Sequence, residues 1–423
     1  MTTSRVERPT LEGYNPLGAE FFRDPAPILS KARAECPVFY YPPMDYWVVA
    51  SYDDIVEAVT DWQSFSQQAA SLLPVPPELA HRVSENYFLD TFMALDPPGH
   101  TVSRKAVNQA FTRSRVLGIQ PTVVRIANQL IDGFIDAGSC DLMNDFCYQL
   151  SLRTIVSLIG LPDSEDLIAK YKLWAEDFLV LVTPRTAPGE PPLRSLEPEE
   201  SLLRWGRTAD AHEFLYDLLE QRRKKPTDDL ISALLQIEDD EGGRGITDER
   251  IVAHMVEMIT AGTDTTANLL GEVTIRLNEH PDIWEQVRRD PNLLENTIEE
   301  ALRYRGMAIG LFRWTTRDVE LSGVTIPAHS RVQLLYQSAG RDESHFSCPN
   351  DFDIRRENAA EHLGFGRGRH FCLGAPLARL EARTALEILY RRIPDLRIEA
   401  GAELHYHHTL VAFILESLPV RWR

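Results

Sequence analysis

The stretch 365–374, FGRGRHFCLG, sets one cysteine, Cys372, among three glycines, Gly366, Gly368 and Gly374, with His370 two residues before it. Glycine opens backbone conformations closed to other residues and lets the backbone approach a ligand closely. Ala375-Pro376 follows, and proline fits the first turn of a helix, where no backbone N–H is needed. Cys372 is therefore expected in a tight loop at a helix N-terminus, where loop amides and the helix dipole favour a thiolate. A thiolate there can be a nucleophile or a metal ligand. A nucleophile needs a base and an oxyanion site, which nothing nearby clearly supplies. Zinc needs three or four ligands, and no second cysteine lies close by. A single strong thiolate with its own amide donors suits axial ligation of haem iron. An inert buried cysteine is the plain alternative, but it explains neither the glycines nor His370.

A second group lies inside a long helical pattern. Thr247 can cap it, Asp248 and Glu249 favour its positive end, and Pro281 closes it. The result is a helix of roughly 33 residues, about 50 Å long, which should cross the whole molecule. In its middle stands Ala261-Gly262-Thr263-Asp264-Thr265-Thr266. Gly, Asp and Thr cost from a few tenths to ~1 kcal/mol each against Ala. Threonine hydroxyls can bond carbonyls one turn back and bend the helix. An opening that holds a small ligand and water is one reason to tolerate this; a kink for packing is the other. Glu257 lies one turn before Ala261 on the same face. It can pair with His254 or meet a polar or cationic group of a ligand. Further on, Glu300 and Arg303 share a helix face by their spacing, which means little alone in a chain with 25% charged residues.

The elements that must carry these groups are mostly helical. Val123–Ala137, Leu150–Ile159, Ser201–Arg223 and Pro376–Arg392 have helical periodicity. Val38–Tyr41 and Trp47–Ala50 read as a hairpin, and Val319–Ile326 and Val332–Tyr336 as further β runs. The expectation is a mainly α chain with small β-sheets (α+β), one domain over 1–423 with an N-terminal segment over 1–36. Thr183–Pro198 carries five prolines and reads as a lid loop, over 184–198, joining two helices above a cleft. Lys and Arg number 44 against 63 Asp and Glu, a net charge of -19, which argues against nucleic-acid binding. Five cysteines, odd in number and never spaced CxxC, argue for a reducing compartment. No signal peptide or membrane span is visible. A cytoplasmic monomer is expected.

The cysteine loop resembles the haem-binding signature FGxGxHxCxG of the cytochrome P450 family, with Phe365, Gly366, Gly368, His370, Cys372 and Gly374 all matching. The resemblance runs from about Tyr41 to Val420. It implies that Cys372 is the axial ligand of haem b, with Phe365, Gly366 and Gly374 shaping its cradle. AGTDTT resembles the family's oxygen-binding helix. That implies an acid–alcohol pair, Asp264 and Thr265, delivering protons for O2 cleavage, with small Ala261 and Gly262 leaving space above the iron. ExxR, here Glu300 and Arg303, joins Arg356 in the family to hold the cysteine loop. The haem carboxylates need cations, which the matching segments offer as His100, Arg104, Arg313 and His370.

The resemblance implies a monooxygenase that inserts one oxygen atom of O2 into a small or medium hydrophobic substrate, by hydroxylation, epoxidation or dealkylation. Phe352–Asn358 and Tyr46–Ala50 are similar to bacterial haem domains fused to a flavin and iron–sulfur reductase. No flavin, NAD or iron–sulfur fingerprint follows here. Electrons from NAD(P)H should thus arrive through a separate ferredoxin and ferredoxin reductase, docking on Arg104, Lys105, Arg113, Arg115, Arg367, Arg369 and Arg379. The implied pocket comprises Phe92, Met93, Glu257, Met258, Met307, Ile309 and Phe413. Two departures bear on it: Tyr304–Phe312 has two glycines and no proline, and Phe413-Ile414 replaces the usual Arg-Gly. The rivals are a peroxygenase using H2O2, whose members usually lack the acid–alcohol pair, and a haem-binding sensor or carrier, which should bring a signalling domain.

Overall fold

The computed structural model describes residues 8–83, 89, 91–185, 195–238 and 243–422. Eight helices position the site: α1 (Gly99–Ala110), α2 (Gln120–Phe134), α3 (Tyr148–Ile159), α4 (Glu165–Leu181), α5 (Pro198–Lys224), α6 (Asp248–Glu279), α7 (Leu293–Arg305) and α8 (Ala375–Arg392). The long helix is α6. The Thr247 side chain accepts from the Arg250 amide, and Asp248 and Glu249 occupy the positive first turn. Its far end meets His280-Pro281, where the next helix starts. α6 packs along α3 and α4 and is crossed by α7 and α8, while α2 lies against α3 and α8. Leu150, Ile155, Leu270, Val273, Leu386 and Leu389 are among the apolar side chains they bury. Burial of this kind, rather than propensity, holds a helix that carries Gly, Asp and Thr at its centre.

Five short strands form the main sheet: β1 (Val38–Tyr41), β2 (Tyr46–Val49), β3 (Phe65–Ser66), β4 (Leu311–Thr315) and β5 (Arg331–Leu334), in the order β1-β2-β5-β4-β3. β1 and β2 form the expected hairpin, with Val38 opposite Val49. β5 joins β2 in parallel, with Val332 opposite Trp47, and β4 antiparallel, with Val332 opposite Arg313. β5 ends at Leu334, because Tyr336–Ala339 turns into a short helix.

Two expectations are corrected. Val319–Ile326 is not one run: Val319–Leu321 and Val324–Ile326 pair as a hairpin. Ser322 and Gly323 both have positive φ, 46° and 74°, the backbone that a two-residue hairpin turn demands. The proline-rich segment does not begin as a loop either, since Val182–Pro184 pairs with Ala70–Leu72. Pro198 already opens α5, and 186–194 lie outside the described residues. Of the N-terminal segment, Tyr14, Phe21, Phe22 and Leu29 bury themselves in an aromatic cluster with Ile309 and Phe413.

Candidate haem site

Cys372 lies three residues before α8, and Gly374 is the cap residue of that helix. Gly366 and Gly368 have φ of 68° and 71°, the left-handed region that other residues enter at a cost. Gly374 differs: its φ is -78°, and an added Cβ would stand 3.8 Å from Cys372 Sγ. The Cys372 amide donates to the Phe365 carbonyl at 2.9 Å and closes the loop. Burial pushes the Cys372 thiol above its ordinary value, against the pull of the Gly374 amide, Arg104, the Ala375 amide and Arg379. The loop amides and the two arginines thus favour the thiolate, while burial opposes it.

Around the loop, cations gather with few acids. The His100 and His370 rings stand 4.2 Å apart. Arg104, on α1, donates to the Phe371 carbonyl at 2.9 Å. Arg313, buried on β4, donates to the Phe312 carbonyl at 2.9 Å and the Tyr336 hydroxyl at 3.5 Å. Both ring nitrogens of His100 and Nε2 of His370 are buried without a hydrogen-bond partner. Burial, then His100, Arg313, Arg104 and Arg369, pushes His370 down to about 3. Burial, Arg104 and Arg369 lower His100 likewise, against Asp96. Buried donors without partners, beside arginines, are a cradle for an anion. The donor set fits a group that brings carboxylates and takes one thiolate. Among the described residues, no three His, Cys, Asp or Glu side chains gather to hold a metal ion themselves.

α6 runs without interruption past this place, so no opening breaks its spine. Thr263 and Thr265 instead bond the Ile259 and Ala261 carbonyls, each at 2.6 Å. The small residues divide their work. Ala261 is exposed in the middle of a largely buried helix, with half-buried Thr265 one turn on. Gly262 faces α3, where an added Cβ would stand 2.9 Å from Ile155. Its smallness serves helix packing there. Asp264 is buried where Ala261 is exposed. Burial raises its carboxyl above the ordinary range; the Tyr148 hydroxyl lowers it by a hydrogen bond, Glu176 raises it, and His407 and Lys172 lower it.

Glu300 and Arg303 meet as their spacing suggested, and Arg356 joins them as the resemblance implied. Arg303 grips Glu300 at 2.7 and 2.8 Å, and Arg356 Nε reaches both Glu300 oxygens at 3.2 Å. The two arginines donate to the carbonyls of Gly340, Ser347, Cys348, Pro349 and Asp351. The trio thus pins the segment that precedes the cysteine loop, not the loop itself. Glu299, which sequence reasoning missed, reaches the loop. It accepts from Arg379 at 2.6 and 2.8 Å and contacts His362 Nε2 at 3.3 Å. His362 Nδ1 accepts from the Gly364 amide at 3.0 Å. The available signal was the doubled acid Glu299-Glu300, two neighbours that a helix points in different directions.

The proposed pocket residues fall into two groups. Phe92 and Met258 lie in the helical core, with Glu257 buried beside His254. Ile309 and Phe413 pack with Phe21 and Phe22 in the aromatic cluster. Met93 is 38% exposed, and the Met307 carbonyl accepts from the Phe413 amide at 2.8 Å. On the cysteine side, a cavity of about 590 Å³ is lined by Arg104, Arg113, Phe371, Cys372 and Arg379 among others. Arg379 is neutralised by Glu299, Arg115 lies 3.4 Å from Asp228, Arg367 donates to the Tyr52 hydroxyl, and Arg369 covers the Trp62 ring. Among the described residues no helix is long and apolar enough to cross a membrane.

At the cysteine loop, buried imidazole nitrogens thus stand without partners, with arginines nearby. The cytochrome P450 family model matches residues 35–393, and the chain belongs to that family. Its relatives include 6-deoxyerythronolide B hydroxylase of Saccharopolyspora erythraea, 34% identical over 89% of this chain and 90% of that protein. Cyclomarin C epoxidase of Salinispora arenicola is 34% identical over 86% of this chain and 87% of its own. The crystal structure of an intact type IV self-sufficient cytochrome P450 monooxygenase superposes with a TM-score of 0.85 at 30% identity, covering 97% of this chain and 53% of that one. The protein is a monooxygenase of the P450 kind, an oxidoreductase that incorporates oxygen from O2.

Proposed function

We propose that the chain is one haem domain in which the Cys372 sulfur would hold the iron of haem b. His100, Arg104, Arg313 and His370 take the haem carboxylates. The observation that carries this reading is the set of buried ring nitrogens on His100 and His370 that have no partner, beside the sulfur. When bound, the haem supplies the metal centre at which O2 is activated with two electrons. The chain's own residues do the rest. Thr265 Oγ1, tied to the Ala261 carbonyl, keeps lone pairs for accepting a proton donor on the exposed face of α6. Asp264, buried on α6 next to Thr265 in sequence, would pass protons on to the Thr265 hydroxyl. Buried apolar neighbours such as Phe92 and Met258 exclude water.

The substrate is a small or medium organic molecule with an apolar body. Electrons come from NAD(P)H through a ferredoxin and its reductase in the cytoplasm. The ferredoxin docks beside exposed Phe371, with Arg113 and Arg369 as steering charges rather than Arg379, which Glu299 occupies. The test is the carbon monoxide spectrum of the reduced protein. The red-shifted Soret band of thiolate ligation is expected, and is lost in Cys372→His. A wild-type spectrum without that band sinks the reading.

A further inference from the structure

One buried carboxylate near the site has no task in the reading above. Glu257 lies on α6, one turn before Ala261 and two before Thr265, so the three share a helix face. His254 Nδ1 meets Glu257 Oε2 at 2.9 Å, and His254 Nε2 meets Ser103 Oγ of α1 at 2.8 Å. With the carboxylate accepting, Nδ1 carries the hydrogen, and Nε2 accepts from the Ser103 hydroxyl. All three side chains are buried, and Glu257 is 2% exposed. Its second oxygen, Oε1, has no partner. A buried carboxylate oxygen left bare is costly, and native structures rarely keep one without a use.

The nearest charge does not serve it. Arg104 feels Glu257 electrostatically, yet its guanidinium sits 4.9 Å over the Phe92 ring and donates to the Phe371 carbonyl. It also belongs to the set assigned to the haem carboxylates. An aromatic ring is close: the Phe92 ring lies 5.2 Å from the His254 ring. A neutral hydroxyl would satisfy the lone pair but leave the charge uncompensated. A protonated amine would satisfy both, with an aromatic ring at hand for its methyl groups.

We propose that Glu257 anchors the ammonium head of the substrate, held in position by His254 and Ser103, so that the preferred substrate is an apolar molecule carrying a basic amine. This rests on the reading that the Ala261–Thr265 face of α6 looks onto the haem. The test uses haem-loaded protein and two ligands: a phenylbutyl chain ending in a dimethylammonium head, and the same chain ending in isopropyl. Affinities are measured by equilibrium dialysis and by displacement of the Soret band. Wild-type protein is expected to bind the ammonium ligand about tenfold or more tightly than its carbon isostere, and Glu257→Gln to abolish the difference. Equal affinities in the wild type, or full preference kept in Glu257→Gln, overturn the proposal. If Glu257→Gln takes up no haem, the wild-type pair decides alone. A normal thiolate band without amine preference rejects only this anchor; a missing band rejects the haem reading itself.

Discussion

Glu299 and Arg379 lie 80 residues apart in sequence and meet through two hydrogen bonds of 2.6 and 2.8 Å. One belongs to α7 and the other to α8, just past Cys372. With His362 on the same carboxylate, Glu299 ties down both flanks of the cysteine loop. The pair also locks α7 against the helix whose first turn faces the sulfur.

The first prediction follows from that tie. Burial raises the Glu299 carboxyl, but Arg379 and His362 overcome it and hold it down at about 2. A depressed carboxyl stabilises the fold above its unfolded value and loses that contribution as pH falls through its folded value. Glu299→Gln should therefore cost about 2–3 kcal/mol near neutrality. The gap to wild type should close between about pH 4.5 and 2. Urea unfolding at several pH values checks it, with haem retention as a second readout. An unchanged gap on acidification rejects the tie.

Asp264 and Thr265 should fail in different ways. Asp264→Asn removes the proton source and should slow turnover by about a hundredfold. Thr265→Ala leaves the source but removes the hydroxyl on the exposed face, so NAD(P)H oxidation should continue while product per electron pair falls. Tyr148→Phe is the subtler case. The phenol lowers the Asp264 carboxyl, so its loss should move the alkaline limb of the pH–rate profile upward without abolishing activity. Peroxide-free product formation that is unchanged in Thr265→Ala argues for a peroxygenase instead.

Arg303 offers a test of the structural trio. It is fully buried and divides its donors between Glu300 and the carbonyls of Gly340, Pro349 and Asp351. A lysine keeps the charge but cannot reproduce the fork, and it would leave buried acceptors bare. Arg303→Lys should cost at least about 3 kcal/mol. Soluble yield and the haem-to-protein ratio are the measurements. Retention of both at wild-type levels contradicts the role.

Local chemistry was legible in the sequence, and long-range partners were not. The cap at Thr247, the stop at Pro281 and the loop glycines each follow from a rule about one or two residues, and α6 and the cysteine loop formed accordingly. The hairpin of β1 and β2 was readable because alternation and a short turn are local as well. The packing use of Gly262 was not readable, because only the approach of Ile155, distant in sequence, shows it. At Cys372 the loop amides were readable because they are local, whereas its burial, which opposes them, is the work of the whole fold. Glu299 was passed over because its partners are distant in sequence, and a second acid beside Glu300 looks like any solvated charge.

Glu381 supplies the last test, because it stands in the helix that follows the cysteine loop and is buried with one carboxyl oxygen unpartnered. Burial pushes its carboxyl up to about 8, against the smaller pull of the Ser151 hydroxyl. The sign is opposite to that of Glu299. A carboxyl raised in the fold is neutral in both states below its unfolded value. Above that value the unfolded chain ionises first, so stability falls as pH rises from about 4.5 to 8 and then levels off. Glu381→Gln keeps the shape without the titration. Its advantage over wild type should grow by a few kcal/mol across that window. Calorimetry of both proteins at the two ends of the window reads the change, and a gap that stays constant or shrinks means that Glu381 is already ionised in the fold.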